Sequence, residues 1–233
     1  MIEVKNVGYR YPKGEAVLDN FSINIEEGGI YGLLGKNGTG KSTLLYVMTG
    51  LLRQQSGEVC IDGFNPQERK AELTREMYLV PEEYDMPDAQ LSDYVKAMKP
   101  FYPRFDEELM KSCLELFDMK PEVNMKRLSM GQKKKVLICF ALATNTRYLF
   151  MDEPTNGLDI LAKSQFRQVL IKGMNDKKTI IISTHQVHDV EHLLDHVIIM
   201  ERNKVLLQQP LVESDEEPIN LEQLFIDTVS KKL

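Results

Sequence analysis

Apolar residues alternate with polar ones at the start of the chain. Ile2, Val4 and Val7, then Phe21, Ile23 and Ile25, follow this pattern and predict half-buried strands of an antiparallel sheet. Glu27-Gly28-Gly29 turns the chain into an apolar run from Ile30 to Leu34. Beyond it, Leu44, Leu45 and Met48 share one face of a helix predicted from Lys41 to Thr49, with Gly50 placed to end it in a left-handed conformation. The stretch from Gly57 to Gly63 reads as a short strand closed by the Asp62-Gly63 turn.

Between Pro81 and Pro121 the pattern changes. Helix-forming stretches are broken by Pro87, Pro100 and Pro103, with Met and aromatic residues at irregular helical spacing. This predicts a helical subdomain, residues 84–140, inserted in the core, and its Met and aromatic stripe reads as packing. Arg147 to Met151 is nearly all apolar, as a central parallel strand should be. Helix Ala162 to Met174, strand Thr179 to Ser183, helix Val187 to Leu194 and strand Val197 to Met200 continue the alternation. A hairpin at Arg202-Asn203-Lys204 leads to a strand from Val205 to Gln208, and Glu213 to Glu217 forms a solvated acidic segment before a short last helix, within an acidic tail 211–233. The prediction is α/β: one domain over residues 1–233, a mostly parallel sheet flanked by helices, with an N-terminal antiparallel β subdomain.

Composition removes some classes of function. With 29 basic and 35 acidic residues the net charge is −6, so no overall positive field draws the chain to nucleic acid, and no nucleic-acid partner is expected. Cys60, Cys113 and Cys139 are too scattered for a metal pattern and read as reduced, structural thiols of a cytoplasmic protein. The N-terminus lacks the pattern of a signal peptide, and no apolar run approaches the ~20 residues of a spanning helix, so work at a membrane requires another chain to span it.

The strongest chemical signal is Gly35-Lys36-Asn37-Gly38-Thr39-Gly40-Lys41-Ser42-Thr43, which fits G-x-x-x-x-G-K-[ST] between a predicted strand and a helix. Its glycines let backbone N–H groups turn inward around a triphosphate. Lys41 can reach the β and γ phosphates, Ser42 can offer its hydroxyl to Mg²⁺, and the helix N-terminus faces the same anion. Asp152 and Glu153 end the predicted central strand, where an open α/β sheet places its ligand site. The pair can divide the labour: Asp152 holding Mg²⁺, directly or through water, and Glu153 acting as general base on the attacking water. His188-Asp189-Val190-Glu191-His192 satisfies a zinc-protease pattern, H-x-x-E-H, yet Val187, Val190, Leu193 and Leu194 there make an ordinary core face.

Leu128-Ser129-Met130-Gly131-Gln132, upstream of Asp152-Glu153-Pro154-Thr155-Asn156-Gly157-Leu158-Asp159, resembles the L-S-G-G-Q signature of the ATP-binding cassette (ABC) family. The resemblance runs from about Met1 to Gln209 and implies the ATPase subunit of a membrane transporter: a phosphate-loop NTPase lying on the inner face of the cell membrane through its membrane-spanning partner subunits. It implies a head-to-tail homodimer or heterodimer around two ATP·Mg²⁺. Ser129, Gly131 and Gln132 would complete the site of the partner subunit, and Asp159 would sit in a loop crossing to it. Met130 departs from the family's first glycine. Tyr11 matches the aromatic that stacks on adenine, although with Tyr9 two residues away it also reads as an edge-strand tyrosine. His185 matches the switch histidine at the γ phosphate. Glu82 stands where the family has a glutamine, leaving metal-ligand, solvent-facing and gating roles open. Lys133-Lys134-Lys135 reads as a solvated helical face. The short helical insertion and Glu82 lean towards an exporter; a non-transport member of the same superfamily is the alternative.

Overall fold

The computed structural model describes residues 1–201, 203–211 and 220–230. Strands β1 (Ile2–Arg10), β2 (Ala16–Ile25) and β4 (Ser56–Ile61) form an antiparallel sheet in the order β2-β1-β4. A second sheet runs β5-β6-β7-β3-β8-β9, built from β3 (Gly29–Leu34), β5 (Met77–Val80), β6 (Tyr148–Asp152), β7 (Thr179–Thr184), β8 (His196–Glu201) and β9 (Lys204–Pro210). All neighbours in it are parallel except β8 and β9. The helices are α1 (Lys41–Met48), the short α2 (Ala71–Thr74), α3 (Leu91–Met98), α4 (Glu107–Leu116), α5 (Met130–Ala143), α6 (Ile160–Gly173) and α7 (Leu221–Ser230).

Strand alternation divides the core in two. Ile30, Leu34, Leu149, Met151, Ile180 and Ile182 face the helices α3 to α6. Their neighbours Tyr31, Leu33, Tyr148, Phe150 and Ile181 face α1 and the antiparallel sheet. Both faces of β6 and β7 are covered, which is why these strands read as unbroken apolar runs. The aromatic residues of the helical region do pack: Tyr78, Tyr94, Tyr102 and Phe105 surround Phe140 at 5.2–6.2 Å between centroids.

Two sequence expectations are corrected. Val187 to Leu194 is not one helix but two 3₁₀ turns, Val187–Asp189 and Glu191–Leu193. Val187, Val190 and Leu193 are buried at a spacing of three, the 3₁₀ repeat, and Arg167 takes the carbonyls of His188 and Asp189 as acceptors. Nor is Lys133-Lys134-Lys135 a solvated face. Lys134 is 2% exposed and Lys135 is half-buried, because α5 packs against β5, α4 and α6 and is covered nearly all round. The acidic stretch 213–217 and Arg202 lie outside the described residues. α7 within the predicted tail buries Leu221 and Val229 against the core.

Candidate functional site

Parallel pairing aligns the carboxyl ends of three central strands: Leu34 stands opposite Thr184, and Asp152 opposite Ser183. The loop from Gly35 to Gly40 leaves β3 at that edge and enters α1. Thr39 Oγ1 donates to Lys36 O at 2.9 Å, bracing the turn. Gly40 adopts φ 97°, and an added Cβ there would meet Val17 at 3.1 Å, so both conformation and space demand glycine. Lys41 is buried, and its Nζ donates to Gly35 O at 2.7 Å. Burial lowers its pKa from the usual lysine value, opposed by the Glu153 and Asp152 carboxylates.

A cavity of about 340 Å³ opens over this loop, lined by Tyr11, Asn37 to Thr43 in part, Glu82, Glu153, Asn156 and His185. Gly35, Lys36 and Thr39 build the loop without lining it. Tyr11 lies just beyond β1, its hydroxyl 3.2 Å from Thr43 Oγ1 and its ring edge-on to Tyr9. Being 41% exposed and on the cavity wall, it is open to a flat ligand.

Asp152 is fully buried behind Ser42. Ser42 Oγ and Ser183 Oγ both donate to its Oδ1, at 3.0 and 2.5 Å. Glu153 takes the left-handed φ of 43°, and its backbone N–H donates to Ser183. This turn swings its carboxylate away from Asp152, to 3.6 Å from Lys41 Nζ and 2.9 Å from His185 Nδ1. Asp152 Oδ2 and Glu153 Oε2 are buried with no hydrogen-bond partner among the described residues. Orphaned carboxylate oxygens beside a lysine and a serine hydroxyl suit a divalent cation and a polarised water.

Ser129, Gly131, Gln132 and Asp159 do not line the cavity. Ser129 caps α5 in a reciprocal box: Gln132 N donates to Ser129 Oγ at 3.3 Å and Ser129 N donates to Gln132 Oε1 at 3.0 Å. Asp159 caps α6 through Ala162 N. Both caps are exposed, beside the exposed Met130, Ile160 and Leu161. An added Cβ on Gly131 would stand 3.1 Å from Gly157 O, so the first turn of α5 touches the loop entering α6.

Sequence reasoning missed three residues here. Asn156 Nδ2 donates to Glu82 Oε1 at 2.9 Å, and Gln186 Nε2 donates to Asn156 Oδ1 at 2.8 Å. Lys134 Nζ donates to Glu82 O at 3.1 Å. Asn156 and Gln186 stand inside or beside quoted motifs, which was the available signal; Lys134 carries none. His188 and His192 are exposed, and His188 is held by Glu191 and Glu222.

Residues 18–156, well over half of the chain, match the ABC transporter family. The chain belongs to that family. The lantibiotic transport ATP-binding protein SrtF of Streptococcus pyogenes is 30% identical over 97% of this chain and 96% of its own length. The energy-coupling factor transporter ATP-binding protein EcfA of Methanocaldococcus jannaschii is 35% identical over 99% of this chain and 87% of its own. The dimeric bacterial ABC transporter cassette MJ0796 superposes with a TM-score of 0.79 at 26% identity, over 92% of this chain and 100% of that one, and has also been solved after hydrolysis with ADP and Pi. This ABC subunit is therefore an ATPase that powers transport, with the α/β cassette fold. No helix among its described residues is long and apolar enough to cross a membrane.

Proposed function

We propose that this ABC ATPase works as a head-to-tail dimer on the cytoplasmic face of the membrane, bound to separate membrane-spanning subunits, with each ATP held between the phosphate loop of one chain and Ser129, Gly131 and Gln132 of the other. The observation that carries this reading is the separation of the motifs. Lys41, Glu153 and His185 share one cavity, while Ser129, at a helix N-terminus suited to an anion, and Asp159 are exposed outside it. Exposed Met130, Ile160 and Leu161 beside them supply apolar area for a partner cassette to cover.

In this site Lys41 and the loop N–H groups bind the β and γ phosphates, and Tyr11 stacks on adenine, contributing about 0.5–1.5 kcal/mol beyond area burial. Ser42 and Asp152, with Glu82 near the γ phosphate, would hold Mg²⁺, which supplies neutralisation of phosphate charge. Glu153 takes a proton from water as its oxygen bonds to the γ phosphorus and the bond to the β–γ bridging oxygen breaks, releasing ADP and phosphate. His185, on the same carboxylate, fixes its direction. Outward transport is the direction favoured by the short helical insertion and Glu82.

Mixed dimers test the arrangement. A Lys41→Ala chain and a Ser129→Arg chain are each expected to be inactive alone. Together they should regain activity, because both lesions fall in one composite site and the other stays intact. Failure of the mixture to exceed the homodimers would refute the shared sites.

A further inference from the structure

Lys134 fastens the helix that faces the partner to the loop that faces the chain's own nucleotide. It lies in the second turn of α5, just beyond Gln132. Its ammonium donates to Glu82 O at 3.1 Å and Pro81 O at 3.4 Å, and lies 5.2 Å from the centroid of the Tyr84 ring. Tyr84 in turn donates its hydroxyl to Met130 O at 3.3 Å, in the first turn of the same helix. The loop is thus tied to two successive turns of α5. Beyond it the line continues through the Glu82 carboxylate to Asn156 and Gln186, which adjoins His185.

Lys134 is 2% exposed, and its direct partners among the described residues are the Pro81 and Glu82 carbonyls and the Tyr84 ring. Burying an ammonium is costly; two carbonyls and a ring face hold it directly, and the Glu82, Asp152 and Glu153 carboxylates attract it from farther off. We propose that Lys134 is a positioning residue that carries nucleotide contact at the N-terminus of α5 to Glu82 and the His185 segment of its own subunit, making ATP use by the two sites cooperative. This inference rests on the head-to-tail dimer. When the partner's γ phosphate engages Ser129, any displacement of the first two turns of α5 draws the Pro81 and Glu82 carbonyls with it, because a buried ammonium left without acceptors would lose its hydrogen bonds outright.

The test is the ATP dependence of steady-state hydrolysis for the wild type and for Lys134→Met, Lys134→Arg and Tyr84→Phe. Sedimentation of each in a Glu153→Gln background with ATP runs alongside. We expect a wild-type Hill coefficient above 1, a fall to about 1 in Lys134→Met with the dimer retained, recovery in Lys134→Arg and a partial fall in Tyr84→Phe. A Lys134→Met dimer that keeps the wild-type coefficient overturns the inference while leaving the dimer standing, and so does a wild-type coefficient of about 1. A Glu153→Gln chain that stays monomeric with ATP overturns the dimer and this inference together. Should Lys134→Met not fold, Tyr84→Phe decides: an unchanged coefficient overturns the inference.

Discussion

Lys41 Nζ and Glu153 Oε1 lie 3.6 Å apart, both side chains buried, with His185 Nδ1 2.9 Å from the same oxygen. The cation proposed to meet the γ phosphate and the carboxylate proposed to activate water therefore hold each other. On that reading ATP competes with Glu153 for the ammonium.

Substituting Glu153→Gln should have opposite effects on binding and chemistry. Hydrolysis should fall by about 10²–10⁴-fold as the general base is lost. ATP affinity should hold or rise, since the phosphate no longer competes with a carboxylate for Lys41, and size-exclusion with ATP should show a stable dimer. Normal turnover in the variant would move the base elsewhere.

Glu82→Gln should act mainly on coupling. Its carboxylate accepts from Asn156 and lines the cavity, so near the metal it meets attraction from the cation and repulsion from the γ phosphate. At an effective dielectric near 20 each interaction is ~4 kcal/mol at 4 Å, and they nearly cancel. ATP affinity should stay within about tenfold, or ~1.4 kcal/mol, while stimulation by reconstituted membrane subunits drops. A large affinity loss with stimulation intact would make Glu82 a metal ligand first.

A third prediction concerns pH. Lys178 is buried, donating to carbonyls in the last turns of α5 and α6, Leu142 O at 3.3 Å and Gly173 O at 2.5 Å. Burial pushes its pKa from 10.5 down to about 8. Between these values the unfolded chain binds more protons than the native one, so this group's contribution to stability rises with pH across the window; below it the burial penalty is fully present and constant. Denaturant melts from pH 8 to 10.5 should show the wild type gaining on Lys178→Met by about 1–3 kcal/mol. A constant difference between the two proteins would show that Lys178 does not titrate there.

What could be read from the sequence was local in origin. The phosphate loop, Asp152-Glu153 and the Leu128 to Gln132 signature depend on neighbours within a few residues, so their spacing survives as text. The strands β6 and β7 were legible because full burial on both faces leaves an unbroken apolar run. Lys134 was not, since its acceptors come from residues 81 and 82, and three consecutive lysines look solvated until the packing around α5 is known. The segment after His185 misled because valines and leucines at a spacing of three serve a 3₁₀ turn as well as an α-helix, and the capture of its carbonyls by Arg167 is a long-range event.

The contact between Gly131 and Gly157 has an evolutionary corollary. On the proposed geometry, what a subunit lends to its neighbour forms one plate, separate from what it keeps for itself. A change such as Met130 in place of glycine alters the catalytic site of whichever chain it faces, and not its own. In a complex of two unlike cassettes, drift in one gene would be felt in the partner's chemistry, so one of the two sites could decay into a purely binding site while its twin went on turning over.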